Sequence, residues 1–217
     1  MVGNLPVAGT AIVARDAADG FDVLLIRRPD RGSFAGAWVF PGGMVEPADV
    51  RPGASEIDTA ARAAVRETSE EVALITAGLT VLSQWTPPPE APKRVRTWFF
   101  LCSDMRGTVT PAPDEVADWQ WVRPIDALAQ HARGEIELFP PTWVTLHLLA
   151  GMERIADAVA AASDPEHFQT HMLQRAGSRT FVWAGDREHP TGGTGTHRLE
   201  TATRPWTYVR TAAQALR

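Results

Sequence analysis

The sequence predicts an α/β fold, because strand-like apolar stretches and an amphipathic helical stretch occur in the same chain. Residues 7–14, VAGTAIVA, and 21–26, FDVLLI, are apolar runs joined by a polar, glycine-containing turn, which is typical of a hairpin. Residues 55–72 place small and apolar side chains at the spacing of one helix face. We therefore expect an α/β core, followed by a small β-rich extension at the end of the chain.

The remaining elements follow in order. A short strand over 38–40 is expected to end at Pro41-Gly42-Gly43, where paired glycines allow close backbone approaches. Ser55 and Asp58 resemble a capping box, which places the helix start near Ser55. The further predicted strands are 79–85, 97–103 and 115–122, and the further predicted helices are 125–130 and 141–162. From residue 164 onward the composition changes, and we expect two or three strands there.

Length and charge limit the function. A chain of 217 residues, 44% of them hydrophobic, suits one packed domain with an appendage. We assign the domain to residues 6–162 and the appendage, packed on the core, to residues 163–217. The net charge of −5 and the pI near 5.7 argue against general binding to nucleic acid or to anionic membranes, because both require a basic field.

Compartment signals point to the cytoplasm. The apolar runs are shorter than the roughly 20 residues of a spanning helix, and residues 1–10 lack the features of a secretion signal. The single cysteine, Cys102, cannot form an internal disulfide, which fits a reducing compartment.

Three carboxylates stand close together on the helix predicted over 55–72. Glu67, Glu70 and Glu71 are expected on the side opposite the apolar face, where like charges repel one another. A cation is therefore expected among them. Clustered carboxylate oxygens suit hard divalent ions such as Mg²⁺.

The run Arg66-Glu67-Thr68-Ser69-Glu70-Glu71, preceded by Phe40-Pro41-Gly42-Gly43, resembles the signature of the Nudix hydrolases, which cleave nucleoside diphosphates linked to another group. That signature reads G, five residues, E, seven residues, REUxEExGU, with U a bulky aliphatic residue. Gly43 fits the opening glycine. Counted back from Arg66, the pattern's acid falls at Asp58, which implies an insertion between Gly43 and Asp58. Thr68 and Ala73 replace the usual aliphatic residue and glycine.

The resemblance implies an α/β/α sandwich with a mixed β-sheet over residues 6 to about 160. Within the family, residues 23–43 and 134–146 are similar to the subgroup of coenzyme A and acyl-coenzyme A diphosphatases. Gly36 matches a loop glycine of that subgroup, whereas the arginine expected four residues earlier is replaced by Gly32, next to Arg31.

The resemblance also implies a metal site and a reaction. It assigns Mg²⁺ or Mn²⁺ to Glu67 and Glu71, with Glu70 as a further ligand or the base and the Gly43 carbonyl as an additional ligand. Arg66 is expected to orient a glutamate through a salt bridge. The residues assigned to substrate binding are Arg27, Arg28, Arg31 and Gly36, which lie in the predicted loop RRPDRGSFAGAW, residues 27–38. Any single arginine of this loop also fits a solvated connection.

Several residues fit two interpretations. Glu115 is a candidate base ahead of a strand, and Glu46 is a surface carboxylate or a neighbour of the metal. Asp58 is a helix cap or a contributor to the metal site. His167 and His171 have the spacing of a metal pair, but a surface helix face is the simpler interpretation. Trp119 and Trp121 share a strand face, which favours packing over adenine stacking.

The sequence therefore predicts a divalent-metal-dependent hydrolase of a small nucleotide diphosphate, with coenzyme A or acyl-coenzyme A as candidate substrates. The alternatives are a diphosphatase acting on ADP-ribose or another nucleotide sugar, and a Nudix-fold sensor that binds a nucleotide without cleaving it. A homodimer built through the extension is a further candidate.

Overall fold

The computed structural model describes residues 5–32, 34–162, 165–175 and 177–211, and it shows a mixed β-sheet covered on both faces. The strands of this sheet are β1 Val7–Ala17, β2 Gly20–Arg27, β3 Trp38–Val39, β4 Gly42–Met44, β5 Ile75–Thr86, β6 Arg96–Arg106, β7 Asp118–Val122 and β8 Glu166–Gln169. The helices are α1 Glu56–Val72, α2 Pro124–Ala132, α3 Pro140–Leu149 and α4 Ile155–Ala161. A second, antiparallel sheet contains β9 His171–Arg175, β10 Ser178–Val182, β11 Thr196–Glu200 and β12 Thr207–Thr211. The predicted α/β fold with a β-rich extension is confirmed.

Strand β1 is the centre of the main sheet. It pairs in parallel with β6 along one edge. Along the other edge its first residues pair with β4 and its last residues pair with β2, both antiparallel. The register places Gly43 opposite Gly9, so the glycine pair after Pro41 becomes a short strand next to the middle of the sheet.

Helix α1 lies directly against β1. A Cβ atom on Gly9 would come within 1.8 Å of the Ala60 carbonyl oxygen, so only glycine allows this approach of strand and helix. Ala11 and Val13 pack in the core on the α1 side, whereas Ile12 packs in the core on the opposite side. Both faces of β1 are therefore buried, which explains why the strand reads as a continuous apolar run.

Both ends of α1 have recognisable caps. Ser55 Oγ accepts a hydrogen bond of 3.1 Å from the Asp58 N–H, and the Asp58 carboxylate accepts one of 3.3 Å from the Ser55 N–H. The predicted capping box is confirmed. Ala73 ends the helix at φ +57°, in the left-handed region that glycine adopts most easily, which explains why the family signature has glycine there.

Two predicted helical regions are wrong. The helix expected over 141–162 is two helices, since α3 ends at Leu149 and α4 begins at Ile155, with Gly151 in the segment between them. Glycine is a poor helix former, and its presence here is consistent with the break. His167 and His171 do not share a helix face, because they lie on the consecutive strands β8 and β9.

The C-terminal strands contact the main domain. Strand β8 pairs in parallel with β5 and so joins the main sheet. Trp183 is fully buried in the same core as Trp85 and Phe168. Residues 163, 164, 176 and 212–217 of the predicted extension lie outside the described residues. Among the helices described, none has the length and apolar character needed to cross a membrane.

Candidate active site

Three carboxylates converge where α1 meets the turn that precedes β7. Glu67 and Glu71 come from α1, and Glu115 comes from that turn. One oxygen of each carboxylate lies within 4.8 Å of the others, and we call these three residues the carboxylate cluster. The fold thus adds Glu115, distant in sequence, to two glutamates that the helix spacing already places one turn apart.

Glu71 is buried, contrary to the prediction that it shares the exposed side of α1 with Glu67 and Glu70. Its side chain is 0% exposed. The Gly42 N–H donates a hydrogen bond of 2.9 Å to its Oε2, and Arg28 Nη1 donates one of 2.6 Å to its Oε1. Burial raises the pKa of Glu71 to about 7, although the hydrogen bond from Gly42 and the positive charge of Arg28 act in the opposite direction.

Glu67 lies against the backbone of Gly43. A Cβ atom on Gly43 would come within 2.2 Å of the Glu67 carboxyl carbon and within 2.6 Å of both oxygens, so a side chain here would displace the carboxylate. Burial raises the pKa of Glu67, and the charges of Glu70 and Glu115 act in the same direction, while Arg66 opposes them. The two glycines after Pro41 therefore have different roles. The Gly42 N–H bonds Glu71, whereas Gly43, which has no side chain, leaves space for the Glu67 carboxylate.

Arg66 connects α1 to strand β4. Its guanidinium donates to Glu67 Oε1 at 3.0 Å, to Glu70 Oε2 at 2.7 Å and to the Met44 carbonyl at 2.9 Å. Glu70 is 53% exposed and lies outside the carboxylate cluster. Arg66 thus contacts two of the three predicted acidic residues, Glu67 and Glu70. Its bond to Glu67 Oε1 holds that oxygen in place.

Asp49 is a site residue that the sequence analysis missed. It is 4% exposed, and its two carboxylate oxygens accept bonds of 3.2 and 3.1 Å from Arg66 Nε and Nη2. The Glu46 N–H donates to the same carboxylate at 2.9 Å, whereas the Glu46 residue itself is exposed. Burial opposes ionisation of Asp49, but the bonds from Arg66 and Glu46 hold its pKa below the usual value.

A signal for Asp49 was present in the sequence. With five residues between the glycine and the acid, as the signature prescribes, counting forward from Gly43 leads to Asp49, whereas counting back from Arg66 leads to Asp58. The structure places Asp58 in the helix cap and Asp49 on Arg66. The extra residues therefore lie after Asp49, not before it, and they contain the loop that leads to Ser55.

Asp49→Asn is expected to weaken the hydrolysis that the sequence resemblance implies. The amide would keep the size of the side chain but lose the charge that holds Arg66, and disturbing groups that orient metal ligands costs about 10- to 100-fold in activity or metal affinity. Steady-state kinetics of Asp49→Asn measure the effect. Asp58→Asn is the matched control, and we expect it to leave kcat unchanged; equal losses in the two variants would contradict the assignment of Asp49.

Residues 27–37, which run from the last residue of β2 to β3 and which we call the arginine loop, have one direct link to the carboxylates. Arg28 bonds Glu71, whereas Arg27 bonds Asp30 at 2.7 Å and Arg31 donates to the Asp114 carbonyl at 3.0 Å. Gly36 has φ +68°, and a Cβ atom there would come within 2.8 Å of Asp30 Oδ1. Gly36 is therefore required by the tight turn of this loop, whatever else it contacts.

His167, His171 and Trp121 have contacts with residues outside the carboxylate cluster. His167 Nδ1 lies 3.1 Å from Gln84 Oε1, and the His171 ring contacts the ring of His189. Trp121 packs against the core on the α1 side and under the Arg15 guanidinium, 4.4 Å from its ring centroid. Trp119 is 36% exposed.

Comparison with known proteins agrees with this geometry. The model of the family described as the NUDIX domain matches residues 5–142, more than half of the chain. The chain belongs to the Nudix family. It carries a Nudix hydrolase domain, and the family acts on nucleoside diphosphate derivatives.

Solved structures share the Nudix fold at low sequence identity. A NUDIX hydrolase from Alicyclobacillus acidocaldarius is 23% identical, with a TM-score of 0.64, over 76% of this chain and 99% of that one. A MutT NUDIX hydrolase from Burkholderia pseudomallei is 24% identical, with a TM-score of 0.50, over 66% and 97%. The ORF135 protein of E. coli is 23% identical, with a TM-score of 0.50, over 76% and 99%. A search of curated proteins gave no significant match.

The carboxylate cluster fits the divalent metal ions that Nudix enzymes generally use. It offers oxygen atoms only, which hard divalent cations prefer. Burial and mutual repulsion raise the pKa values of Glu67 and Glu71, so a cation between them would offset both unfavourable effects.

Proposed function

We propose that the protein is a Mg²⁺- or Mn²⁺-dependent hydrolase of the diphosphate bond in a nucleoside diphosphate linked to another group. The observation that carries the proposal is the convergence of Glu67, Glu71 and Glu115 beside the glycine pair of the Nudix signature. An enzyme of this kind needs oxygen ligands at one point and a route for the anionic substrate to reach them.

The roles of the chain's residues follow from their contacts. Glu67 and Glu71 would hold the cation, with Glu115 as a third carboxylate and the Gly43 carbonyl as a further ligand. When bound, the cation would supply positive charge for the diphosphate oxygens and for the attacking water. Arg28 and the Gly42 N–H keep Glu71 in place, and Arg66 does the same for Glu67.

Water is the nucleophile in this reaction. We assign its proton to Glu70, whose Oε2 accepts a bond from Arg66, so that Oε1 takes the proton. The water oxygen bonds to one phosphorus while the bond from that phosphorus to the bridging oxygen breaks, and the products are two phosphate monoesters. Glu115 is the second candidate for the base, because it belongs to the cluster and precedes β7.

Coenzyme A or acyl-coenzyme A is the first substrate class to test. Support comes from the similarity of residues 23–43 and 134–146 to the coenzyme A diphosphatase subgroup, including Gly36. Arg27 and Arg31 are the candidates for contact with substrate phosphates, since both stand on the loop whose Arg28 reaches Glu71.

The test is a substrate screen with mass analysis of both products. With Mg²⁺ or Mn²⁺, coenzyme A should give 3′,5′-ADP and 4′-phosphopantetheine, and no product should form with EDTA. Cleavage of ADP-ribose but not coenzyme A would move the substrate to the nucleotide-sugar class. Tight nucleotide binding without cleavage of any diphosphate would replace the hydrolase with a sensor.

A further inference from the structure

Two exposed aromatic side chains form a pair on the arginine loop side of the site. Phe34 is 54% exposed and Phe139 is 37% exposed. Their ring centroids are 4.8 Å apart and their planes meet at 84°, so the edge of one ring contacts the face of the other. We call Phe34 and Phe139 the aromatic pair. An edge-to-face pair leaves ring faces open to a third flat group.

Phe34 is held in an unusual backbone conformation. Its φ is +60°, in the left-handed region, which is uncommon for a bulky residue. The Phe34 carbonyl accepts a bond of 3.0 Å from the Ala37 N–H, and the Ala37 carbonyl accepts one of 2.9 Å from the Arg28 N–H. The loop is therefore closed at its base. The backbone of Phe34 is held in a conformation that favours glycine, while its ring is exposed. Such outliers occur preferentially at ligand sites.

Contacts from the arginine loop tie the Phe34 side of the aromatic pair to the carboxylate cluster, and a separate contact holds the Phe139 side against the end of the loop. Arg28 at the base of the loop bonds Glu71, and Arg31 bonds the carbonyl of Asp114, the neighbour of Glu115. Phe34 is three residues from Arg31, so their Cα atoms are at most about 11 Å apart. On the other side, the Trp38 N–H bonds the Glu137 carbonyl, which anchors the segment that carries Phe139.

We propose that the aromatic pair is the base-binding subsite, with the nucleobase of the substrate stacked on an open face of Phe34. This inference rests on the proposed hydrolase function. The nucleobase is the planar group common to all nucleoside diphosphate derivatives, whereas the second group on the diphosphate varies. The diphosphate would lie at the carboxylate cluster, and the base would extend toward the tip of the arginine loop.

Binding of nucleoside monophosphates to the full chain tests this assignment. Phe34→Asn removes the ring and retains a residue that adopts positive φ readily. We expect it to weaken AMP binding about tenfold, since stacking of a base on an aromatic ring contributes directly to affinity. Ribose 5-phosphate, which lacks a base, should bind the variant and the wild type equally, and Phe34→Trp should retain AMP binding. Titration calorimetry with AMP, GMP, CMP and UMP measures the effect.

Ile125→Asn is the matched control, because Ile125 on α2 is also 54% exposed. Unchanged AMP affinity in Phe34→Asn would overturn the proposal. Equal weakening of AMP and ribose 5-phosphate would also overturn it, because the ring would then only order the loop. Loss of 4′-phosphopantetheine binding with AMP binding intact would assign the pair to the other half of a coenzyme A substrate. If the wild type cleaves diphosphates while these tests fail, only the subsite is wrong; if no diphosphate is cleaved, the hydrolase proposal fails separately.

Discussion

Glu67→Gln is expected to lower kcat for diphosphate hydrolysis by about 100- to 1,000-fold. Glu67 would be a direct ligand of the cation, and cation stabilisation of the transition state contributes several kcal/mol, at about 1.4 kcal/mol for each factor of ten. The amide keeps the volume beside Gly43 and can still accept the bond from Arg66. A loss of activity in this variant would therefore report the charge rather than the packing.

The same substitution should not lower the thermal stability of the metal-free protein. Burial raises the pKa of Glu67, so its ionised form is less favourable in the folded state than in the unfolded chain. The contribution of Glu67 to stability is thus lost as the pH rises through that pKa, and a neutral amide avoids this loss near pH 7. Thermal melts in EDTA at pH 5 and pH 7.5 test the sign.

The control for both measurements is Glu90→Gln, because Glu90 is exposed in the turn between β5 and β6 and does not belong to the carboxylate cluster. We expect it to keep the wild-type kcat and melting temperature. Full activity in Glu67→Gln would contradict the metal assignment. A much lower melting temperature in EDTA would show that the variant lost activity through unfolding.

Trp183→Ala is expected to lower the free energy of unfolding by about 3–5 kcal/mol, the usual cost of truncating a buried tryptophan. Trp183 is fully buried, with its ring edge-on to Trp85 and Phe168 at centroid distances of 5.8 and 5.4 Å. Its Nε1–H donates a bond of 3.0 Å to Thr170 Oγ1, which the substitution would leave without this partner. Since domains are stable by about 5–15 kcal/mol, this loss is large.

The outcome also tests whether residues 163–217 pack on the Nudix core. If they do, urea unfolding followed by tryptophan fluorescence and by far-UV circular dichroism should give one coincident transition, shifted in Trp183→Ala. Ile75→Ala is the control, because Ile75 is 66% exposed and surface substitutions usually change stability by less than about 0.5 kcal/mol. Two separate transitions, with only one shifted, would indicate an independent extension.

The sequence predicted those helices and strands whose positions depend on residues that are close together in the chain. The start of α1 follows from Ser55 and Asp58, which bond each other within one turn. The β1–β2 hairpin follows from two apolar runs around a polar turn. Because both faces of these strands are buried, the runs are continuous and easy to recognise in the sequence. The break between α3 and α4 was missed, since the apolar pattern continues across Gly151.

The site could not be predicted in full, because it depends on contacts between residues that are distant in the sequence. The sequence places Glu71 among polar neighbours, so a helical pattern predicts exposure. Its burial is compensated by Arg28 and by the Gly42 N–H, which lie 43 and 29 residues away in the chain. Glu115 joins the cluster only because its turn leads into β7, which pairs with β2 next to the arginine loop.

Which acid is assigned to the acidic position of the Nudix signature depends on the end of the signature from which the residues are counted. Asp49 and Asp58 both fit the acidic position of the signature, one counted from each end of the insertion. Spacing alone could not choose between them, whereas the contacts in the structure do. Asp49 is 4% exposed and accepts two bonds from Arg66, which also bonds Glu67 and Glu70, whereas Asp58 caps the helix at Ser55.

Titration of Mn²⁺ into the full chain, followed by the electron paramagnetic resonance signal of the free ion, tests the metal site most directly. The wild type should bind Mn²⁺ in competition with Mg²⁺, and Glu71→Gln and Glu115→Gln should each weaken binding at least about tenfold. Glu90→Gln should bind as the wild type does. Equal Mn²⁺ affinity in the wild type and in both cluster variants would contradict the assignment of Glu67, Glu71 and Glu115 as the metal site.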